Sequence, residues 1–227
     1  MKRKPDIIVM LTQNDVTVKD ALDIFLSSCD LDVHCWGFKN TGINKEDMYK
    51  LAKIMKEKGK KTFLEVLAYD EASCLDIAKT AAECGIDEVM GTLYFPSVHK
   101  FLDNAQISYK PFAGKVSGIP CILESAYDKI LDNAKDLIKK GITGFDLLAY
   151  RSKENGEELA RRFCEELPAK ICIAGSVSSF KHIDVMLDIA PWGFTIGSAL
   201  FDKKFVSHGD FRENLEAVLE YMERFLN

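Results

Sequence analysis

Phe194-Thr195-Ile196-Gly197-Ser198-Ala199-Leu200-Phe201 decides how the chain is read, taken together with Ile171-Cys172-Ile173-Ala174-Gly175-Ser176-Val177 a short way upstream. Each is an apolar, β-branched run that stops at Gly-Ser. Such a run suits a strand buried on both faces. The Gly-Ser behind it permits a tight exit with small side chains and exposed amides. After the second run, residues 198–201 read as one helical turn, whose first N–H groups have no acceptor within the turn. The guest that suits such donors is an anion, most simply a phosphate.

Outward from these two runs, strand-like and helix-like stretches alternate along the whole chain. Strands are expected at 7–11, 31–38, 62–68, 87–95, 107–116, 144–150, 170–174 and 192–196. The fifth is the least regular, because Pro111 removes a ladder donor and Gly114 weakens the strand. Between them lie stretches with apolar residues at helical spacing, such as Val18, Ala21, Leu22 and Phe25, with Thr17 as the expected N-cap, or Met48, Leu51, Ala52 and Met55. Asn44, Asp70, Asn155 and Asp210 stand where helix N-caps belong, Ser125 opens the strong helix before Gly141, and Gly59 and Gly85 end theirs. A short helix is expected after Ser97 and another over 179–187. Eight β-α units of roughly 25 residues imply parallel strands joined by helical crossovers. At this length the count fits a closed (β/α)8 TIM barrel better than a doubly wound open sheet. One domain over 1–227 is expected, because no linker or low-complexity segment divides the chain.

Composition narrows the function classes. The 227 residues are 47% hydrophobic and 29% charged, with a net charge of -5 and both signs interspersed. No broad positive field is available for nucleic acid, so an anionic ligand needs local donors. The 7 cysteines show no C-x-x-C spacing and sit in apolar runs, which reads as reduced core thiols of a cytoplasmic protein. The basic start at residues 2–4 is followed by too short an apolar run for an export signal, and no run is long enough to span a bilayer.

With its last two strands ending in Ala174-Gly175-Ser176 and Ile196-Gly197-Ser198-Ala199-Leu200-Phe201, the chain resembles the ribulose-phosphate-binding barrel superfamily. That superfamily includes sugar-phosphate epimerases, phosphate-bearing decarboxylases, and isomerases and synthases of histidine and tryptophan biosynthesis. The resemblance implies a substrate phosphate held by the backbone amides around Gly175, Ser176, Gly197 and Ser198, with the serine hydroxyls as further donors. FMN-dependent barrels grip the flavin phosphate in a similar way, so FMN is an alternative ligand. The Asp-x-Lys-x-x-Asp pattern of the decarboxylases is absent at strand three, where Glu65-Val66-Leu67-Ala68-Tyr69-Asp70 stands. The two-His, two-Asp metal set of a pentose-phosphate epimerase is absent too, and no metal or other cofactor is expected.

Barrel-strand side chains alternate between the interior and the helix layer, so a charge in an apolar strand is expected to point inward. Glu65, between Leu64 and Val66, is such a residue: either a general acid or base, or the partner of a buried cation. Lys110 offers that cation, and an interior lysine can also bind a carboxylate, steady an enediolate or form a Schiff base. Asp146 follows the same logic on strand six, as a functional carboxyl or one half of an ion pair. His34 is expected inward beside Trp36, either titrating usefully or held as a hydrogen-bonded core residue. Arg151 can clamp an anionic group or form a surface ion pair. Asn14 and Asp15, and Thr92 and Tyr94, stand where substrate-positioning groups belong, although loop and cap duties explain them equally. Cys35 and Cys172 are expected to be buried thiols, not nucleophiles.

The residues therefore point to an isomerase, epimerase or lyase acting on a small phosphorylated ligand through an enolate-like intermediate. Glu65 would move the proton and Lys110 would stabilise the developing charge. The rival is a barrel that senses a phosphorylated metabolite without turning it over. A homo-oligomer is compatible with either; a membrane or nucleic-acid partner is not expected.

Overall fold

Apolar runs of only three to six residues become eight parallel strands: β1 (Asp6–Met10), β2 (Cys35–Lys39), β3 (Lys61–Val66), β4 (Glu88–Gly91), β5 (Ser108–Lys110), β6 (Gly144–Leu147), β7 (Lys170–Ile173) and β8 (Gly193–Ile196). Between and after them run helices α1 (Ala21–Ser28), α2 (Lys45–Glu57), α3 (Glu71–Glu83), α4 (Pro96–Asn104), α5 (Tyr127–Lys139), α6 (Gly156–Glu166), α7 (Phe180–Ile189) and α8 (Phe211–Arg224). The computed structural model describes residues 3–224. The ends of the expected 1–227 domain, with Met1 and Lys2 of its basic start, lie outside the described residues. The strands hydrogen-bond in the order β6-β7-β8-β1-β2-β3-β4-β5. A lone parallel bridge between Phe112 and Asp146 joins β5 to β6, where the Asp146 N–H donates to the Pro111 carbonyl at 3.1 Å. The result is a nearly closed (β/α)8 barrel.

Strand alternation sorts the core into two apolar layers. Val9, Trp36, Phe38, Leu64, Phe145 and Phe194 face the helices, and Trp36 meets Phe25 of α1 edge-on at 5.1 Å. Ile8, Met10, Cys35, Phe63, Met90 and Cys172 fill the barrel interior. Register extends the interior set, because directly paired residues face the same side of a sheet. Cys35 pairs with Lys61, Lys39 with Glu65, Glu65 with Met90, Met90 with Lys110, and Asp146 with Cys172. Phe63 pairs with Glu88 in the same way, so Lys39, Lys61, Glu65, Glu88, Lys110 and Asp146 are all turned into the barrel.

Helix starts follow the expected capping chemistry. Asn44, Asp70, Asn155 and Ser179 side chains accept from backbone N–H groups in the first turns of α2, α3, α6 and α7. Asp210 and Glu213 cap reciprocally ahead of α8. Gly85 follows α3 at φ 69°, a left-handed conformation that glycine adopts without a Cβ penalty.

Several boundaries differ from the sequence reading. Thr17 does not cap α1, which begins at Ala21. It belongs instead to a hairpin, Thr12–Gln13 against Val16–Thr17, turned at Asn14 and Asp15. Both turn residues have positive φ (51° and 63°), the backbone twist that two-residue hairpins favour and that Asn and Asp tolerate. The expected fifth strand is cut to three residues, since Pro111 stops the ladder. The chain then forms a second hairpin, Val116–Ser117 against Ile122–Leu123. Ser125 does not open α5; its hydroxyl accepts from the Lys115 N–H while Ala126 takes the cap position.

Candidate functional site

Two turns and two strand ends enclose a pocket of about 240 Å³ at the carboxyl end of the barrel. Gly175 and Ser176 follow β7, and Gly197 and Ser198 follow β8, so the two Gly-Ser turns of the sequence form one wall. Gly175 takes φ 83°, and a Cβ there would stand 3.0 Å from Cγ of Arg151. At Gly197 a Cβ would lie 2.9 Å from the Met10 carbonyl oxygen. Both positions need the missing side chain, one for its conformation and one for the close backbone approach. Ser198 opens the one-turn helix Ser198–Phe201, and its Oγ accepts from the Asn14 N–H at 3.0 Å.

The floor carries a chain of ion pairs. Lys39, the last residue of β2, donates from Nζ to Asp15 Oδ1 at 2.8 Å and to Glu65 Oε1 at 2.8 Å. Arg151 donates from Nη1 to the other Asp15 oxygen at 2.6 Å and from Nε to Ser176 Oγ at 3.2 Å. Asp15, Lys39 and Glu65 are buried, and Arg151 is about one-fifth exposed. Thr17 fixes the height of Lys39: its hydroxyl donates to the Lys39 carbonyl and accepts from the Lys39 N–H. The second hairpin closes over the group, with the Cys121 N–H on Asp15 Oδ2 at 3.3 Å and Tyr69 Oη on the Gly118 carbonyl at 2.8 Å.

Electrostatics favour the charged forms of Asp15 and Lys39. Burial alone would raise the Asp15 pKa, yet the Arg151 hydrogen bond and the Lys39 ammonium hold it down to about 2. Burial pulls Lys39 down, but Glu65 and Asp15 outweigh it and its pKa rises. Asp146 behaves oppositely. It is fully buried, neither carboxyl oxygen has a hydrogen-bond partner among the described residues, and desolvation reinforced by Glu65 pushes its pKa well above the usual carboxylate range. It lies inside the barrel and does not line the pocket.

The residues expected to act are only partly brought together. Glu65, Arg151, Gly175, Ser176, Gly197 and Ser198 share the pocket; Asn14 lies outside its lining and serves the hairpin turn. Lys110 does not meet Glu65. Its ammonium pairs with Glu88, also bound by Lys61 at 2.8 Å, and lies 3.9 Å from the Trp192 ring centroid. Burial depresses the Lys110 pKa against the pull of Glu88. His34 precedes β2, is exposed, and borders a cleft with Lys4, Asp6 and Asp32 at the opposite, amino end of the barrel. The expected His34–Trp36 face is the wrong parity, since Cys35, Gly37 and Lys39 point inward. Lys39 was legible by that rule, two positions beyond Gly37, but the apolar run that marks the strand in the sequence stops at Phe38. Cys35 and Cys172 are buried thiols, and desolvation pushes Cys35 up to about 12. Among the described residues, no three His, Cys, Asp or Glu side chains stand where they could hold a metal ion.

Fold and site together define a β/α barrel with an ion-paired floor under two Gly-Ser turns. No protein-family model matches the chain, and no curated protein matches it in sequence. Solved structures do. One described as native KDPGal superposes with a TM-score of 0.71 at 12% identity, covering 100% of this chain and 98% of that one. Orotidine 5'-phosphate decarboxylase from Pyrococcus horikoshii gives 0.68 at 12% identity, covering 96% and 99%. A chain of the tryptophan synthase a2b2 complex from Pyrococcus furiosus gives 0.66 at 14% identity, covering 100% and 99%. At these identities the likeness establishes the shared barrel fold.

Proposed function

We propose that the chain is an enzyme acting on a small phosphorylated metabolite, an isomerase, epimerase or lyase that works through an enolate-like intermediate. The observation that carries this reading is the Lys39 ammonium, held between Asp15 and Glu65 on the floor of a pocket walled by the two Gly-Ser turns. In this reading the turn amides anchor the phosphate and so fix the carbon chain over the floor. Glu65 takes a proton from the carbon beside a carbonyl, and the electron pair moves onto the carbonyl oxygen. Lys39 stabilises that oxyanion, the role expected of Lys110 before the structure placed Lys110 on Glu88. Return of the proton from Glu65 to the neighbouring carbon completes isomerisation, and delivery of a proton to the same carbon by water on the opposite face completes epimerisation; departure of a hydroxyl as water, with its bonding pair, from the next carbon makes a lyase. Asp15 and Arg151 hold the Lys39 head in place through both steps.

The same turns suit a flavin phosphate, but an isoalloxazine ring would have to lie on four ion-paired side chains, so the residues present do not fit FMN. We place the protein in a reducing compartment such as the cytoplasm, because its seven cysteines are all free thiols.

Binding is tested by thermal shift against inorganic phosphate and a panel of sugar phosphates. A ligand at a hundred times its Kd adds about 2.7 kcal/mol, a rise in Tm of about 5–10 °C at this chain length. Turnover is then followed with the ligands that bind. Glu65→Gln should lower kcat by about 10²-fold or more while leaving phosphate binding intact. Unchanged kcat would remove Glu65 from the mechanism, and ligands that bind without turnover would favour the sensor.

A further inference from the structure

The Gly-Ser turn after β7 is strained and is held from two sides. Gly175 and Ser176 both have φ 83°, and at Ser176, which carries a Cβ, that left-handed conformation costs energy. Strain of this kind persists only where the surroundings impose it. On one side Arg151 does so: its Nε donates to Ser176 Oγ at 3.2 Å, and its stem fills the space beside Gly175. On the other side stands His182, in the first turn of α7.

We infer that His182 is a positioning residue, whose neutral imidazole pins the far end of this turn and so keeps the amides of residues 175–177 in the geometry that an anion meets. This role rests on the phosphate reading above and goes beyond it by naming what holds that wall of the pocket. His182 Nδ1 accepts the Ser178 N–H at 3.2 Å, and Ser178 lines the pocket. A neutral imidazole that accepts at Nδ1 carries its proton on Nε2. The ring lies against that of Tyr150, with centroids 4.2 Å apart and planes at 22°, which fixes its orientation. Tyr150 and Arg151 are consecutive. One short 3-10 turn, 149–151, therefore braces the β7 turn at both ends, through Arg151 at Ser176 and through Tyr150 and His182 at Ser178.

Capping of α7 does not use the ring. The cap is made by the Ser179 hydroxyl, which accepts the His182 backbone N–H at 3.2 Å, and the imidazole reaches outside the helix to Ser178. Burial pulls the His182 pKa below its ordinary value and Lys181 adds to this, while the Ser176 carbonyl and Glu157 of α6 oppose the shift without reversing it. Protonation turns Nδ1 into a donor facing the Ser178 N–H, and that hydrogen bond is lost.

The test uses the full chain, with inorganic phosphate as the probe. The Ser178 amide is followed by two-dimensional NMR as pH falls, and phosphate binding is measured by calorimetry at about pH 7.5, where the neutral ring is favoured. In the wild type the Ser178 resonance should move as His182 takes up its proton, below about pH 6.5. His182→Leu removes the acceptor, and should speed exchange of the Ser178 amide and weaken phosphate binding about tenfold. His182→Asn places an acceptor oxygen where Nδ1 stood. It should bind phosphate within about twofold of the wild type and abolish the pH-dependent movement. Unchanged phosphate affinity in His182→Leu would overturn the inference, and equal weakening in the two variants would overturn the assignment to the acceptor nitrogen. A wild type that binds no phosphate removes the phosphate reading instead. The Ser178 amide then decides alone: a resonance that stays still with pH, and exchange that His182→Leu leaves unchanged, would show that His182 does not hold the turn.

Discussion

Asp146 shows how one residue can be placed correctly by its sequence and still behave unexpectedly. The apolar strand around it turns the carboxyl inward, as charge alternation requires, but no counter-ion waits there, because Lys110 has gone to Glu88 and Lys39 to Glu65. Desolvation there favours the protonated form of the group. The unfolded chain releases that proton above about pH 4, while the folded chain holds it to higher pH, so this residue lowers stability as pH rises. Asp146→Asn removes the titration. The variant is expected to melt above the wild type at neutral pH, with the difference shrinking towards zero near pH 4. A pH-independent difference in Tm would show that Asp146 is ionised in the fold. His34 and Lys39 teach the complementary lesson. Assigning the β2 face with the wrong parity exchanges the inward and outward sets, so an exposed histidine is read as interior and an interior lysine is passed over.

At the scale of elements, β3, β4 and β5 are tied together at the amino end of the barrel by one buried carboxylate. Glu88 binds Lys61 from β3 and Lys110 from β5, and both ammonium groups lie against the Trp192 ring. The Lys110 stem crosses the start of β6, where a Cβ on Gly144 would come within 3.0 Å of its Cγ and Cε. Removing the carboxylate leaves a buried, uncompensated ammonium. Glu88→Ala is expected to cost about 3–5 kcal/mol in urea unfolding, several times the cost of breaking an exposed pair. A loss below about 1 kcal/mol would mean that Lys110 is neutral or has found water. The N-caps at Asn44, Asp70 and Asn155 needed no such context, because each acts within its own first turn. The second hairpin was invisible in the sequence, since its short strands pair with each other and, through one Leu123–Ser152 bridge, with a distant segment, and are held down by Tyr69 and Asp15, which also come from distant parts of the chain.

For the molecule as a whole, the barrel has one weak seam. Most neighbouring strands share ladders of two to five paired residues, whereas β5 and β6 meet through the single Phe112–Asp146 bridge. Local opening should therefore begin there. In native-state hydrogen exchange the Asp146 amide is expected to exchange at least tenfold faster than those of Val9 and Trp36; equal protection would mean that the barrel opens only as a unit. The eight-fold alternation of strand and helix, the inward turn of Glu65 and Asp146 and the gathering of both Gly-Ser turns at one end follow from periodicities of two and 3.6 residues. These belong to each segment alone, and the sequence by itself determined them. Which charges meet was settled only by the tertiary structure. Glu65 found Lys39 and Lys110 found Glu88 because ion pairing depends on strand register and side-chain direction across the closed barrel, and neither is written in any one segment.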